Sequence, residues 1–323
     1  MYIAEQCRSQ SGHEAHASVA GQKVKHLQCM EVWGGNQAAD RGVVMPGIDA
    51  WIYSRPCMNG AAGGDVHYVS TCAGGLLVRL VVADIAGHGE PVAKTGEALR
   101  WLMQRFINRH KQSSLVRSMN QEFSAASDSG VFATALVMTF ECMGNKLVLS
   151  NCGHPPPLWY QAKRGRWVVL EPGTRAPEQA NSTGMPWGIE HDADYCEFHS
   201  ELAVGDIVLC YTDSIAEAKG PDGEVLGTSG LLRMAEALGN VRPSQVIPRL
   251  LAEIEKNDPD YSSRDDVTCL AFRPNGLRRT APIWDLALAP IRWALAAAGL
   301  KVGYAGWRRA AWDAPIGYTG SPR

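Results

Sequence analysis

The stretch LLVRLVVADIAGHG, residues 76–89, decides the fold class. Residues 76–83 form an apolar, β-branched run that predicts a strand, and the run ends in Asp84 before a glycine-rich turn. The following segment, 91–110, repeats apolar residues at helical spacing and has a proline near its start, which predicts a helix. The pattern therefore places a carboxylate at the end of a strand, directly before a helix.

The rest of the chain predicts strands and helices in blocks. Because these elements do not alternate strictly, the pattern indicates an α+β protein with antiparallel sheets. Strands are predicted at 47–54, 66–72, 131–141, 145–150, 166–170, 195–201, 206–212 and 267–272, and further helices at 114–126, 229–238 and 243–256.

Composition excludes several classes of protein. The 323 residues are 46% hydrophobic and 20% charged, which is typical of a globular chain, and the net charge of −2 excludes binding of nucleic acid through overall charge. The N-terminus lacks a signal-peptide pattern, and no 18-residue window is free of charges and helix breakers, so we expect a cytoplasmic protein without a transmembrane segment. Nine cysteines without a CxxC pair predict reduced core thiols rather than a zinc site.

The charge distribution suggests three parts. We predict an N-terminal arm at 1–44, a domain at 45–273 and a basic, Trp-rich tail at 274–323. A turn at Arg273-Pro274-Asn275 separates the domain from the tail. From Gly276 onward the tail carries seven basic and two acidic residues and four tryptophans, whereas the preceding residues carry a net −7. Opposite charges favour docking of the tail on its own domain, and a partner contact or a membrane-surface anchor are the alternatives.

Acidic residues lie at the ends of several predicted strands. Asp84 and Asp213 each end an apolar strand, Asp265-Asp266 precede another, and Asp65 follows two glycines that allow a close approach of the backbone. One such residue alone is typical of a turn or a helix cap. Together, clustered carboxylates repel one another and need cations, and hard ions such as Mg or Mn suit an all-oxygen site.

Five motifs then identify a family. AGGD (62–65), ADIAGHG (83–89), NCGHPPPLWY (151–160), GDIVLCYTDSIAEA (205–218) and RDDVT (264–268) occur in this order. Over residues 45–273 the chain resembles the metal-dependent serine/threonine protein phosphatases of the protein phosphatase 2C superfamily, in their bacterial SpoIIE/RsbU-like branch. The resemblance implies a four-layer αββα sandwich of two antiparallel sheets flanked by helices.

The same resemblance implies a two-metal hydrolase. Asp84 would bridge two divalent ions, Mn or Mg, with the carbonyl of Ile85 as a further ligand. Asp213 and Asp265 would complete one ion's shell and Asp65 would serve the other, so that a metal-activated water attacks phosphoserine or phosphothreonine. The catalytic residues would be Asp84, Asp213 and Asp265, and the metal-binding set would be Asp65, Asp84, Ile85, Asp213, Asp265 and Asp266.

The sequence also departs from the family pattern. Val66-His67-Tyr68 follow Asp65, where many members have a second acid. Ala86 stands where eukaryotic relatives have a histidine that can protonate the leaving group. His88 is not assigned that acid role. Arg55 is a candidate for contact with substrate phosphate, although a surface arginine is the more ordinary interpretation.

Two further motifs have simpler interpretations. GEPVAKTG lacks the glycine that a P-loop needs before its lysine, which argues against nucleotide binding there. The helices of 91–126 are core-packing elements by default. In SpoIIE-like phosphatases the corresponding helices are implicated in switching, so regulation is their second interpretation.

The sequence therefore favours a phosphatase that acts on a phosphorylated regulatory protein. By resemblance, its partner would be a small anti-sigma-factor antagonist, and a homodimer is compatible with the sequence. The main alternative is a catalytically weak or inactive phosphatase-fold protein that serves as a binding module. A phosphorylated small metabolite is a further alternative substrate, because the metal site does not select the leaving group.

Overall fold

The computed structural model describes residues 24–27, 31–72, 75–86, 90–106, 109, 111–127, 130–171, 184–239 and 241–276. The predicted arm before residue 24, His88 and the predicted tail from residue 277 lie outside these residues. Among the helices in the described ranges, none is long and apolar enough to cross a membrane.

The described residues form two sheets. The strands are β1 (Val24–His26), β2 (Val32–Gly35), β3 (Ala39–Met45), β4 (Ile48–Arg55), β5 (Asp65–Cys72), β6 (Leu77–Ile85), β7 (Ala133–Glu141), β8 (Lys146–Cys152), β9 (Leu158–Gln161), β10 (Arg166–Val169), β11 (Phe198–Glu201), β12 (Ile207–Tyr211) and β13 (Val267–Pro274). One sheet has the order β1-β3-β4-β13-β12-β9-β10, and the other has the order β11-β8-β7-β6-β5-β2.

Pairing is antiparallel between these strands, except that β1 runs parallel to β3. The exception has a topological cause. Between β1 and β3 the chain crosses to the other sheet as β2, and parallel neighbours require such a crossover rather than a tight hairpin.

Six helices cover the outer faces of the sheets in the described part of the chain. Helices α1 and α2 pack on the six-stranded sheet, and α4 and α5 pack on the seven-stranded sheet. This confirms the predicted α+β class and the four-layer αββα sandwich. The helices are α1 (Glu90–Phe106), α2 (Gln112–Ala126), α3 (Asp213–Ala216), α4 (Gly227–Ala237), α5 (Pro243–Asn257) and α6 (Tyr261–Arg264), and a single 3₁₀ turn spans Cys57–Asn59.

Strand β6 shows why its sequence is apolar without alternation. Leu80 and Val82 pack in the core between the sheets, whereas Val81 and Ala83 pack beneath α1 and α2. Since both faces of the strand are buried, both need apolar side chains. The exception is Arg79, which is 1% exposed and donates to the carbonyl oxygens of Phe106 and Arg109, at and beyond the C-terminal end of α1.

The sheets extend beyond the predicted N-terminal boundary of the domain. Strand β3 crosses position 45, and β1 and β2 lie entirely within the segment predicted as an arm. Val43 is fully buried in the core between the sheets. The described residues within 24–44 therefore belong to the sandwich. The predicted boundary between an arm at 1–44 and the domain lies too late in the sequence.

His154 lies in the connection between β8 and β9. The Asn151 side chain bonds both the N–H and the carbonyl of His154, each at 2.8 Å, and His154 Nδ1 lies 2.8 Å from Thr134 Oγ1. The imidazole is 3% exposed. Burial lowers its pKa to about 3, against a smaller opposing effect of the Tyr211 backbone.

We predict that His154 makes the fold sensitive to acid. Below pH 6.5 the unfolded chain takes up a proton that the folded protein does not bind, so this residue should lower the free energy of unfolding by about 2 kcal/mol between pH 7.5 and pH 5. Denaturant unfolding at both pH values would measure this loss. His154→Gln should reduce the loss, and His191→Gln, whose side chain is 58% exposed, should retain it. An unchanged loss in His154→Gln would contradict the prediction.

Candidate active site

The predicted acidic residues come from adjacent strands of both sheets. Asp65 begins β5 and pairs in register with Asp84 of β6, so the two side chains lie side by side on one face. Asp213 begins α3 directly after β12, and Asp265-Asp266 directly precede β13, which pairs with β12. We call Asp65, Asp84, Asp213, Asp265 and Asp266 the acidic cluster.

Thr212 joins the two sheets at the acidic cluster. Its hydroxyl donates to Asp65 Oδ2 at 2.9 Å and accepts from the backbone N–H of Thr268 at 3.0 Å. Thr212 is fully buried, and Asp65 is 3% exposed. Because Thr212 also directly precedes Asp213, a single hydroxyl fixes the position of one acid of the cluster beside the start of another.

Asp266 holds the AGGD loop to β13. Its Oδ1 accepts the backbone N–H of Cys57 at 2.6 Å, and its Oδ2 accepts the N–H groups of Gly64 and Asp65. A side chain at Gly63 would bring its Cβ within 2.4 Å of the Asp266 carboxylate, so glycine is required for this close approach. In this structure the visible role of Asp266 is therefore to position the loop.

Charge accumulates within the acidic cluster. Burial, followed by the charges of Asp213, Asp265, Asp266 and Glu217, raises the pKa of Asp84 to about 7. Burial also raises the pKa of Asp65, with Asp84 as the next cause, and the pKa of Asp213, with Glu217 as the next cause. An environment of this kind disfavours the ionised carboxylates and favours a bound cation.

Glu217 was not selected from the sequence. It follows α3 on the exposed side of the site, and its charge acts on both Asp84 and Asp213. The signal that could have found it is helical spacing, because Glu217 lies four residues after Asp213 within the motif GDIVLCYTDSIAEA.

The donor chemistry of the acidic cluster fits divalent metal ions. Carboxylate oxygens and a backbone carbonyl are ligands that Mg and Mn accept. Burial and then neighbouring negative charge raise the pKa of Asp84, and a cation would neutralise that charge. The carbonyl oxygen of Ile85 faces Gly64, where an added Cβ would lie 2.9 Å from it. Among the described side chains, however, no three His, Cys, Asp or Glu residues are grouped closely enough to hold one metal ion.

Arg55 lies on the other face of its sheet. Tyr53 and Arg55 lie on the face of β4 that is directed toward α5 and α6. There both line a cavity of about 140 Å³ with Tyr261. The Arg55 Nε donates to Asn59 Oδ1 at 3.3 Å. Since Ser54 faces Thr268 between the sheets, Arg55 points away from the interior in which Asp65 lies, and its contact with substrate stays a prediction.

None of the cysteines whose side chains the structure describes forms a disulfide bond. Cys142, Cys152, Cys210 and Cys269 are buried, and burial raises the pKa of the last three. A raised pKa keeps a thiol protonated and therefore a weak nucleophile. Cys7 and Cys29 lie outside the described residues.

Comparisons with known proteins identify the family. The sequence profile described as Stage II sporulation protein E (SpoIIE) matches residues 75–275. The phosphoserine phosphatase RsbU of Bacillus subtilis (strain 168) is 21% identical over 197 residues, which cover 61% of this chain and 55% of RsbU. The chain thus matches only about half of the length of this curated relative.

Solved structures share the fold. The RsbU and RsbW domains of Rv1364c from Mycobacterium tuberculosis are 25% identical, with a TM-score of 0.55 over 79% of this chain and 70% of that chain. The PP2C phosphatase domain of SpoIIE from Bacillus subtilis, with a fragment of its regulatory domain, is 15% identical, with a TM-score of 0.58 over 70% and 63%. RsbX in complex with magnesium is 14% identical, with a TM-score of 0.52 over 73% and 100%.

These matches confirm the resemblance that the five sequence motifs indicate. The profile match covers more than half of the residues and includes Asp84, Asp213 and Asp265. This chain belongs to the SpoIIE family of PP2C-type phosphatases.

Proposed function

We propose that this protein hydrolyses phosphoserine or phosphothreonine in a regulatory protein, with divalent metal ions bound at the acidic cluster. The observation that carries the proposal is the convergence of acidic side chains from both sheets. Burial, followed by the charges of these neighbours, raises the pKa of Asp84 to about 7. Such a concentration of acids destabilises a fold, and strongly perturbed acids of this kind cluster at binding and catalytic sites. Membership in the SpoIIE family and the similarity to a phosphoserine phosphatase support the same reaction.

In this proposal Asp84, Asp213, Asp265 and the carbonyl of Ile85 hold the metal ions, and Asp65 contributes directly or through water. Bound Mg or Mn ions would lower the pKa of a water molecule and neutralise charge on the phosphoryl group. The magnesium complex of RsbX supports a divalent ion in this fold. We keep Asp266 as a candidate ligand, although its carboxylate already accepts three backbone N–H groups.

The protein's own side chains supply the preorganisation. Thr212 fixes one oxygen of Asp65, and Asp266 fixes the backbone that precedes Asp65, so the carboxylate needs little reorganisation when it binds its ligand. The buried thiols stay protonated, which argues against a phosphocysteine intermediate. We assign no general acid on this chain.

The substrate we propose is a small phosphorylated protein of the anti-sigma-factor antagonist type, and the location we propose is the cytoplasm. A phosphatase-fold binding module without turnover is the alternative, and the absence of a second acid after Asp65 favours it. Hydrolysis of a phosphopeptide panel with added Mn or Mg separates the two functions, because a binding module would release no phosphate. Small phosphate monoesters in the same assay would identify a metabolite phosphatase.

We predict that Asp84→Asn and Asp213→Asn each lower phosphopeptide hydrolysis by about a hundredfold or more, because each variant removes a charge that the metal ions require. Phosphate release with Mn or Mg measures the loss. A chelator should abolish the activity of the unmodified protein, and added metal should restore it.

The matched control is Asp194→Asn, because the Asp194 side chain is 85% exposed and pairs with Arg117 on the surface. It should retain full activity. Hydrolysis by the purified protein that persists in chelator would exclude the metal-dependent mechanism, as would full activity of Asp84→Asn.

We also predict that Thr212→Val lowers activity by about 10- to 100-fold, because Asp65 loses the hydroxyl that orients it. Thr212→Ser keeps a hydroxyl at the same position and should retain most of the activity. Titration of activity with Mn should show a weaker apparent metal affinity for the valine variant. Equal activity of the valine and serine variants would show that the hydrogen bond to Asp65 is dispensable.

A further inference from the structure

A second cavity, distinct from the acidic cluster, surrounds the edge strand β2. Its volume is about 480 Å³, within the range of ordinary small-molecule sites. Strands β2 and β3, the start of β5 and one side of α1 form its walls. The lining residues include Trp33, Gly35, Arg41, His67, Glu97 and Arg100.

The cavity carries a pair of aromatic rings on one wall. The Trp33 indole and the His67 imidazole lie 5.7 Å apart between centroids, at 52° to each other. His67 is 2% exposed, and its Nδ1 is buried without a hydrogen-bond partner among the described residues. A Cβ on Gly35 would meet nothing within 4 Å, so bare backbone lines this part of the cavity beside the rings. Trp33 is only partly buried, so its indole offers a flat ligand ring a surface to pack on, and the open space beside Gly35 gives that ring room.

The cavity also offers positive charge that is not neutralised by the described part of the protein. Arg41 on β3 and Arg100 on α1 are exposed and make no hydrogen bond or ion pair with other described residues. Glu97 is the acidic residue among the lining side chains. Two guanidinium groups against one carboxylate leave a net positive site, and guanidinium groups bind phosphate and carboxylate with two parallel hydrogen bonds.

We propose that this cavity binds a small organic anion that combines a flat ring with a phosphate or carboxylate group, of the size of a nucleoside monophosphate. The ring packs against Trp33, whose indole contacts the buried His67, and the anionic group pairs with Arg41 and Arg100. Glu97 accepts a hydrogen bond from a ligand hydroxyl or amino group. The site requires no metal and does not depend on the proposed phosphatase function.

Calorimetric titration of the 323-residue chain in chelator tests the site, because chelator removes binding of phosphate by metal ions. The probes are adenosine monophosphate, which has a ring and an anion, adenosine, which has the ring alone, and inorganic phosphate. We expect one molecule of adenosine monophosphate per chain, bound about tenfold more tightly than either other probe.

Variants then locate the site. The double variant Arg41→Gln and Arg100→Gln should weaken adenosine monophosphate at least about tenfold. Trp33→Leu should weaken adenosine monophosphate but leave phosphate unchanged. Arg166→Gln, at an exposed position on the remote strand β10, is the matched control and should have no effect. Circular dichroism melting verifies that each variant is folded.

Three results would overturn the proposal. The first is the absence of saturable binding of adenosine monophosphate up to about 10 mM, since ordinary sites bind far more tightly. The second is equal affinity for adenosine and adenosine monophosphate. The third is unchanged binding in the folded double arginine variant.

Discussion

The position of the acidic cluster depends on the bonds between the Asp266 carboxylate and the backbone of the AGGD loop. Asp266 precedes β13 of one sheet, whereas Gly64 and Asp65 lead into β5 of the other. The interaction therefore joins the two sheets at one end of the sandwich. A carboxylate that accepts backbone N–H groups also stabilises their orientation strongly, because charge-assisted hydrogen bonds are about twice as strong as neutral ones. This interaction and the hydrogen bond from the Thr212 hydroxyl to Asp65 together fix Asp65 relative to Asp213.

The acidic cluster is arranged against the stability of the fold. Burial and neighbouring acids raise the pKa of Asp84 to about 7, so its ionised form is less stable in the folded protein than in the unfolded chain. The chain offsets this by placing Asp84 at the end of a strand, β6, whose preceding residues on the same face, Leu80 and Val82, pack in the apolar core between the sheets. A rigid apolar sandwich thus holds side chains together that would otherwise separate.

Sequence reasoning succeeded where the physical signal is local. The run before Asp84 predicts a strand because both of its faces are buried, and Asp213 and Asp265 stand out because each borders an apolar strand. It failed for β2 and β9, because the Trp-Gly-Gly sequence and the three prolines before Leu158 resemble loops. These short strands are fixed by pairing with β5 and β12 rather than by propensity.

The site's supporting residues could not be predicted for a different reason. Thr212 contacts Asp65 across 147 residues of sequence, and the Asp266 contact with Gly64 spans 202. The sequence around a threonine that follows a strand, or around an acid that precedes one, does not indicate such long-range contacts. The motifs identified which residues belong to the site, but only the packing of the two sheets distinguishes an acid that orients the loop from acids that face each other.

Helix α1 also contacts the AGGD loop, which is a physical basis for the interpretation that α1 and α2 regulate activity. A Cβ at Gly64 would lie 2.9 Å from Val92 of α1, and a Cβ at Gly96 would lie 2.7 Å from the Asn36 amide. That amide donates to the carbonyl of Gly63 at 3.0 Å, while the N–H of Gly63 donates to the carbonyl of Asn36 at 2.9 Å. Because these contacts are close, a shift of α1 toward the loop would press on Asn36 and on the backbone that Asp266 holds. A chain of direct contacts thus runs from α1 through the AGGD loop to the acidic cluster.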